Sequence, residues 1–158
     1  MKKSLFVIVL LAVVSTLVVG CGAKAPALLN VTGKIAGGTY DVTEATFTNH
    51  STELQYHDPW VGATGSDVME KGILLKDLIT LVKPTSDVTT VALICTDGKE
   101  YDVSLAAAQQ YNIKLVHWVA GTELDEKTGG PVKVAYPKDA TAYTDDSWAW
   151  WVVKVQFK

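Results

Sequence analysis

The chain reads as an α+β domain, a mostly antiparallel, partly barrel-like sheet with two helices packed on it. Three observations lead there. Short runs that alternate apolar and polar residues recur between Gly, Pro and Asp punctuation, as half-buried strands do. One segment, Leu74 to Val82, has helical spacing instead, with Leu74, Leu75, Leu78, Ile79 and Val82 on one face and Pro84 stopping the pattern. Asp97-Gly98 joins two strand-like runs as a hairpin turn, because glycine tolerates the positive φ that such a turn requires.

The first element is a leader. Lys2 and Lys3 precede an uncharged apolar run, Leu5 to Val19, and Leu17-Val18-Val19-Gly20-Cys21 sets a small residue before a cysteine directly after it. That is how bacterial-type lipoprotein precursors are cut and lipidated. The run is short of the roughly 20 apolar residues that span a hydrocarbon core. Residues 1–20 are therefore expected to be removed, and Cys21 to carry acyl chains that tether the protein to a membrane outside the cytoplasm. Residues 21–30, with Ala-Lys-Ala-Pro-Ala, continue as a flexible tether, and 31–158 are one domain's worth of chain.

Along that domain, Leu29 to Ile35 alternates as a strand and breaks at Gly37-Gly38. Thr43 to Phe47 fits one helical turn or a strand end equally well. Thr52 to Tyr56 is a short strand, followed by a long irregular loop holding Pro59, Gly62, Gly65 and Gly72. After the helix at Leu74 to Val82 come strands Val88 to Cys95 and Glu100 to Val103. Ser104 caps a second helix that runs through the alanine triplet to Tyr111. Lys114 to Ala120 and Val132 to Ala135 are strands, and Trp148 to Phe157 closes the chain with Trp151, Val153, Val155 and Phe157 expected on one face.

Charge and composition exclude several functions. Fourteen Lys and Arg against seventeen Asp and Glu give −3, and loss of the two leader lysines takes this to about −5, so nucleic acid is a poor partner. Every basic residue is lysine, so the planar arginine fork that grips phosphates and oxyanions is missing. With Cys21 lipidated, only Cys95 remains and no internal disulfide can form. Cys95 ends an apolar strand with nothing basic beside it, which marks it as a small hydrophobe.

The densest group of candidate ligands is His50 to Trp60, where His50, His57 and Asp58 make a reasonable transition-metal set if the loop folds back on itself. Glu123, Asp125 and Glu126 form a charged turn without the spaced oxygens of an EF-hand. Glu100 and Asp102 alternate along a strand toward water. Trp148 and Trp150 fall on the face opposite the core-directed residues, where tryptophans form a ligand platform or pack under a loop such as Asp139 to Asp146. No Gly-x-Ser-x-Gly elbow is present for a serine nucleophile.

In order, these pieces resemble the oxidoreductase molybdopterin-binding domain family of the sulfite oxidase fold. Val31-Thr32-Gly33 is similar to the family's opening strand, Gly72-Ile73-Leu74-Leu75-Lys76-Asp77-Leu78 to its helix start, and Asp97-Gly98 to the turn after its central strand. Gly121-Thr122-Glu123-Leu124, Gly129-Gly130-Pro131-Val132-Lys133-Val134 with Pro137, and Trp151 to Phe157 resemble its closing loop, its Gly-Gly-Pro strand and its last strand. The resemblance implies the fold over nearly all of Val31 to Phe157. It also implies a molybdenum ligand between the second strand and the first main helix, but His50 to Gly72 contains no cysteine. Lys133 stands where the family usually has arginine.

The expected protein is a lipid-anchored, extracytoplasmic module with a molybdopterin-binding-like domain, non-catalytic, with no cofactor of its own. Its candidate ligand cleft is formed by His50, His57, Asp58, Trp60 and Lys133. The expected partners are the membrane, through Cys21, and a small ligand or a redox partner protein. A molybdopterin-dependent oxidoreductase and a metal or small-ligand carrier are the alternatives. Metabolic labelling with a fatty acid should mark the protein, and Cys21→Ser should abolish the label; label that persists in the variant would disprove anchoring at this residue.

Overall fold

The computed structural model describes residues 24–158, so the expected leader and Cys21 lie outside the described residues. Among the described residues, two five-stranded sheets and three α-helices share one apolar core, to which Val31, Leu93 and Val155 contribute from the first sheet, Ile73, Leu115 and Val134 from the second, and Phe47, Leu78 and Ala108 from the helices.

The chain enters at β1 (Ala27–Gly33), inside the stretch expected to be tether, because Leu29 and Val31 are apolar at period two and both bury. β1 pairs antiparallel with β2 (Thr39–Thr43) and parallel with the last strand, β10 (Val152–Phe157). β10 pairs in turn with β5 (Thr90–Cys95), and β5 with β6 (Glu100–Ser104) through the expected Asp97-Gly98 turn. The second sheet runs β3 (Thr52–Asp58), β4 (Ser66–Leu74) and β7 (Lys114–Val119), with β8 (Thr122–Glu123) and β9 (Lys133–Ala135) sharing the far edge of β7. Each sheet keeps open edges, so the partly barrel-like closure expected from the sequence is corrected to two open sheets.

The ambiguous segment at Thr43 resolves as a third helix, α1 (Glu44–His50). A reciprocal capping box between Thr43 and Thr46 satisfies donors at its start, and Phe47 buries beneath it. Helix α2 (Leu75–Val82) buries the expected stripe, each of its large apolar side chains contributing about 1.5–3 kcal/mol, and ends where Lys83 turns left-handed at φ 49°. Helix α3 (Leu105–Gln110) begins at the expected Ser104 cap, whose Oγ accepts from Ala107 N at 3.1 Å.

Two further expectations need correction. The long loop after Tyr56 is much shorter, because β3 and β4 form a hairpin registered from Thr52↔Gly72 to Asp58↔Ser66, leaving only 59–65 irregular. The closing strand begins at Val152 and carries a bulge between Val152 and Lys154, so Val152, Val155 and Phe157 bury while Val153 shifts off the core face and Trp151 stays 42% exposed.

Gly72 shows why glycine sits within a strand here: a Cβ on it would lie 1.9 Å from the Leu115 carbonyl oxygen of β7, a backbone atom with no rotamer to yield. Gly72→Ala is expected to cost about 2–4 kcal/mol in denaturant unfolding; a loss below about 0.5 kcal/mol would show that β4 and β7 do not approach this closely.

Candidate functional site

The site is built by the alternation of β3. Tyr56 and Asp58 face inward and are buried, whereas His57 between them faces out, its Nδ1 2.8 Å from Asp67 Oδ1, in a hollow of about 250 Å³ with Lys138 and Pro137. The hydrogen bond from His57 holds the Asp67 carboxyl below its ordinary range. His50 is exposed at the end of α1. The structure thus separates the three residues expected as a metal set: adjacent positions on a strand point to opposite faces, so His57 and Asp58 cannot converge.

Asp58 instead meets Lys133. Both are buried, and Lys133 Nζ donates to Asp58 Oδ2 while lying 2.6 Å from Glu70 Oε1 of β4. The Glu70 contact is Coulombic: it falls outside hydrogen-bonding geometry, and neither Glu70 oxygen has a hydrogen-bond partner. Burial, with the Asp58 charge adding to it and Lys133 opposing, holds the Glu70 carboxyl above its ordinary value of 4.5. The Lys133 ammonium also lies 4.7 Å from the Trp150 ring centroid and 5.3 Å from that of Trp148. A second buried lysine, Lys114, donates to the backbone oxygens of Thr52 and Glu70, each at 2.9 Å, and burial brings its pKa down to about 8.

Above this ion cluster opens a cleft of about 670 Å³. Three indoles line it. Trp60 is 60% exposed at the tip of the β3–β4 loop, its backbone N–H held by Asp58 Oδ1 at 2.9 Å. Trp151 donates from Nε1 to Glu126 O at 2.7 Å. Trp150 packs over Gly129, where a Cβ would lie 2.0 Å from its ring, so a side chain there would displace the indole. Val61, Val119 and Leu124 complete the apolar wall, and Glu123 and Lys127 stand with Asp58 and Lys133 as its charged groups.

Three of the five expected cleft residues, Asp58, Trp60 and Lys133, come together, while His50 and His57 lie elsewhere. Trp148 is buried, edge-on to Tyr136, which stacks at 4.8 Å on Tyr143 of the 139–146 loop. Packing associated with that loop therefore accounts for Trp148, and it is Trp150 and Trp151 that reach the cleft. Sequence reasoning misses Glu70, Lys114 and His117. A carboxylate or lysine at an inward position of a strand is the signal for the first two, but it becomes readable only once β4 and β7 are known to pair.

The molybdopterin that the sequence resemblance brings in needs a thiolate for its metal and cations for its phosphate. Cys95 is buried on β5 outside the cleft lining, and burial, with Asp97 adding, pushes its thiol up to about 11. Lys133 is engaged by two carboxylates, and Asp58 and Glu123 put negative charge in the same walls. The described residues do not fit that group.

Raising a carboxyl pKa in the folded state means that its protonation favours folding. The stability contributed by Glu70 is therefore present below the ordinary value of 4.5 and lost as pH rises through the raised one. Glu70→Gln, which fixes the neutral form, is expected to flatten that decline and to leave stability at pH 8 unchanged or higher. Lys133→Met strands two buried carboxylates and is expected to cost about 3–5 kcal/mol at pH 8, less at pH 4, in denaturant titrations. Equal losses in the two variants would show that the cluster is not arranged as described.

No protein-family model and no curated protein sequence matches the chain. Among solved structures, the fold is similar to the sulfane dehydrogenase SoxCD from Paracoccus pantotrophus, with TM-score 0.64 and 13% sequence identity over 83% of this chain. The chain spans 38% of that protein's length. At this identity the likeness shows the fold alone, and it supports the fold relationship expected from the sequence motifs.

Proposed function

We propose that this protein is a lipid-anchored, extracytoplasmic binding module that holds a small, flat, mostly apolar ligand in the cleft between Trp60, Trp150 and Trp151. One observation carries the reading: the charged groups at the base of the cleft, Asp58 and Lys133, are committed to each other, while three indoles line the space above them. A site of that kind selects by shape and stacking, with polar groups fixing orientation. The anchor rests on the Leu17 to Cys21 pattern. β1 begins at Ala27, and six extended residues after Cys21 reach at most about 20 Å, so the domain would sit close to the membrane surface.

The alternative, a pterin-dependent oxidoreductase, draws on the fold likeness; the missing arginine and the position of Cys95 count against it. Full-length protein isolated in detergent from membranes of a host able to make and export the cofactor separates the two readings. The expectation is far less than one molybdenum per chain by elemental analysis, with a co-purifying organic molecule seen by native mass spectrometry. Trp60→Ala, which removes an exposed ring, should lower occupancy by that molecule at least about tenfold. One molybdenum per chain, or an occupancy indifferent to Trp60, would overturn the proposal.

A further inference from the structure

His117 lies on β7 with its side chain fully buried, and both ring nitrogens face oxygen acceptors. Nδ1 is 2.6 Å from the Pro131 carbonyl oxygen, which can only accept, so Nδ1 carries the proton. In a neutral imidazole Nε2 is then a lone pair. It is aimed at two carboxylates, 2.9 Å from Glu44 Oε2 and 3.5 Å from Glu123 Oε1. With the imidazole neutral, three electron-rich atoms converge within 4.8 Å of one another, an arrangement that repels itself unless a cation, a metal ion or a second ring proton, stands among them. Among the described residues no lysine pairs with either carboxylate.

The three groups are held by separate elements. Glu44 opens α1 directly after the Thr43 cap, and Phe47, one turn on, packs its ring 4.9 Å from the imidazole. Trp118 closes the other side at 4.4 Å. Glu123 is fixed by its pairing with Trp118 across β7 and β8 and by the bond from Leu124 N to His117 O at 2.8 Å. The ring therefore cannot turn away, and its Nδ1–H to a backbone carbonyl is the support that orients metal-ligating histidines.

We propose that Glu44, His117 and Glu123 form a binding site for a divalent transition-metal ion. One imidazole and two carboxylates suit Zn²⁺, Mn²⁺ or Fe²⁺, and the absence of any thiolate disfavours softer ions. Ligand atoms at about 2.0–2.1 Å around a tetrahedral ion stand about 3.3 Å apart, and the two gaps from Nε2, 2.9 and 3.5 Å, bracket that spacing. The carboxylates are 54% and 62% exposed, leaving room for water or a ligand atom to complete the shell. Because Glu123 also lines the cleft, the ion would stand at its rim. The site does not depend on the small-ligand reading of the cleft.

The competing occupant is a second proton on His117, which would make the group an ion pair and nothing more. Full-length protein stripped with EDTA and titrated with Zn²⁺ and Mn²⁺ by calorimetry should bind one ion per chain. Co²⁺ should give the visible absorption of a nitrogen- and oxygen-ligated ion. Glu123→Gln, a change at an exposed position, should weaken binding at least tenfold, and adding Glu44→Gln should remove it, with the circular dichroism unchanged. His50→Gln, His57→Gln and Trp60→Ala should leave it as it was. Absence of saturable binding, or one-ion binding that survives the double variant, would refute the site.

Discussion

An ammonium buried without water costs several kcal/mol unless its surroundings replace the lost hydration. Lys133 is such a group, and much of the molecule around the cleft is arranged to meet its needs. Asp58 at the end of β3, Glu70 in the middle of β4, and the indoles before β10 all converge on Nζ. Asp58 in turn holds the backbone of Trp60 through its other oxygen, so the same carboxylate that neutralises the lysine also places the ring at the mouth of the cleft. Trp150 reaches the ammonium only because Gly129 has no side chain. The position of one charge thus fixes a loop, a glycine and two aromatic rings.

The arrangement is not balanced, since two carboxylates face one ammonium. Lys114 lies nearby but spends its hydrogen bonds on the backbone oxygens of Thr52 and Glu70, stitching β3 and β4 to the start of β7. Its charge lowers the cost of the extra carboxylate without forming a second ion pair. Both Glu70 oxygens are buried without a hydrogen-bond partner, and that burial, with the Asp58 charge adding to it, holds the carboxyl above its ordinary value. The polar interior holds together through backbone carbonyls as much as through side-chain pairs.

The fold is most legible in the sequence where local chemistry decides the outcome. Helix α2 starts within a residue of its expected position because apolar spacing and Pro84 act over a few residues, and the Ser104 cap and the Asp97-Gly98 hairpin are equally local. The apolar run before Cys95 marks it as the buried hydrophobe that it is. Long-range pairing is where legibility ends. Gly62, Gly65 and Gly72 together look like a loop, yet Gly72 is a strand residue whose missing Cβ makes way for the Leu115 carbonyl, a neighbour 43 positions along in the numbering. Asp58 and Lys133 each stand out as candidates, but nothing in the spacing links them to each other or to Glu70. The bulge at Val152 reverses the facing expected of Val153 and Trp151, because one extra residue shifts every side chain before it to the other side.

That the cation at position 133 is a lysine has a physical consequence for what the cleft can recognise. An arginine presents five donors in a rigid fork and can satisfy an internal carboxylate while still offering a pair to an incoming oxyanion. A lysine has three donors around one point charge. Here that charge is placed between Asp58 and Glu70 and under two rings, so little of it is left to face a ligand. The chemistry at the base of the cleft is consumed in holding the fold. At its rim stand carboxylates that no lysine pairs with among the described residues: Glu44 and Glu123 face Nε2 of His117 at 2.9 and 3.5 Å.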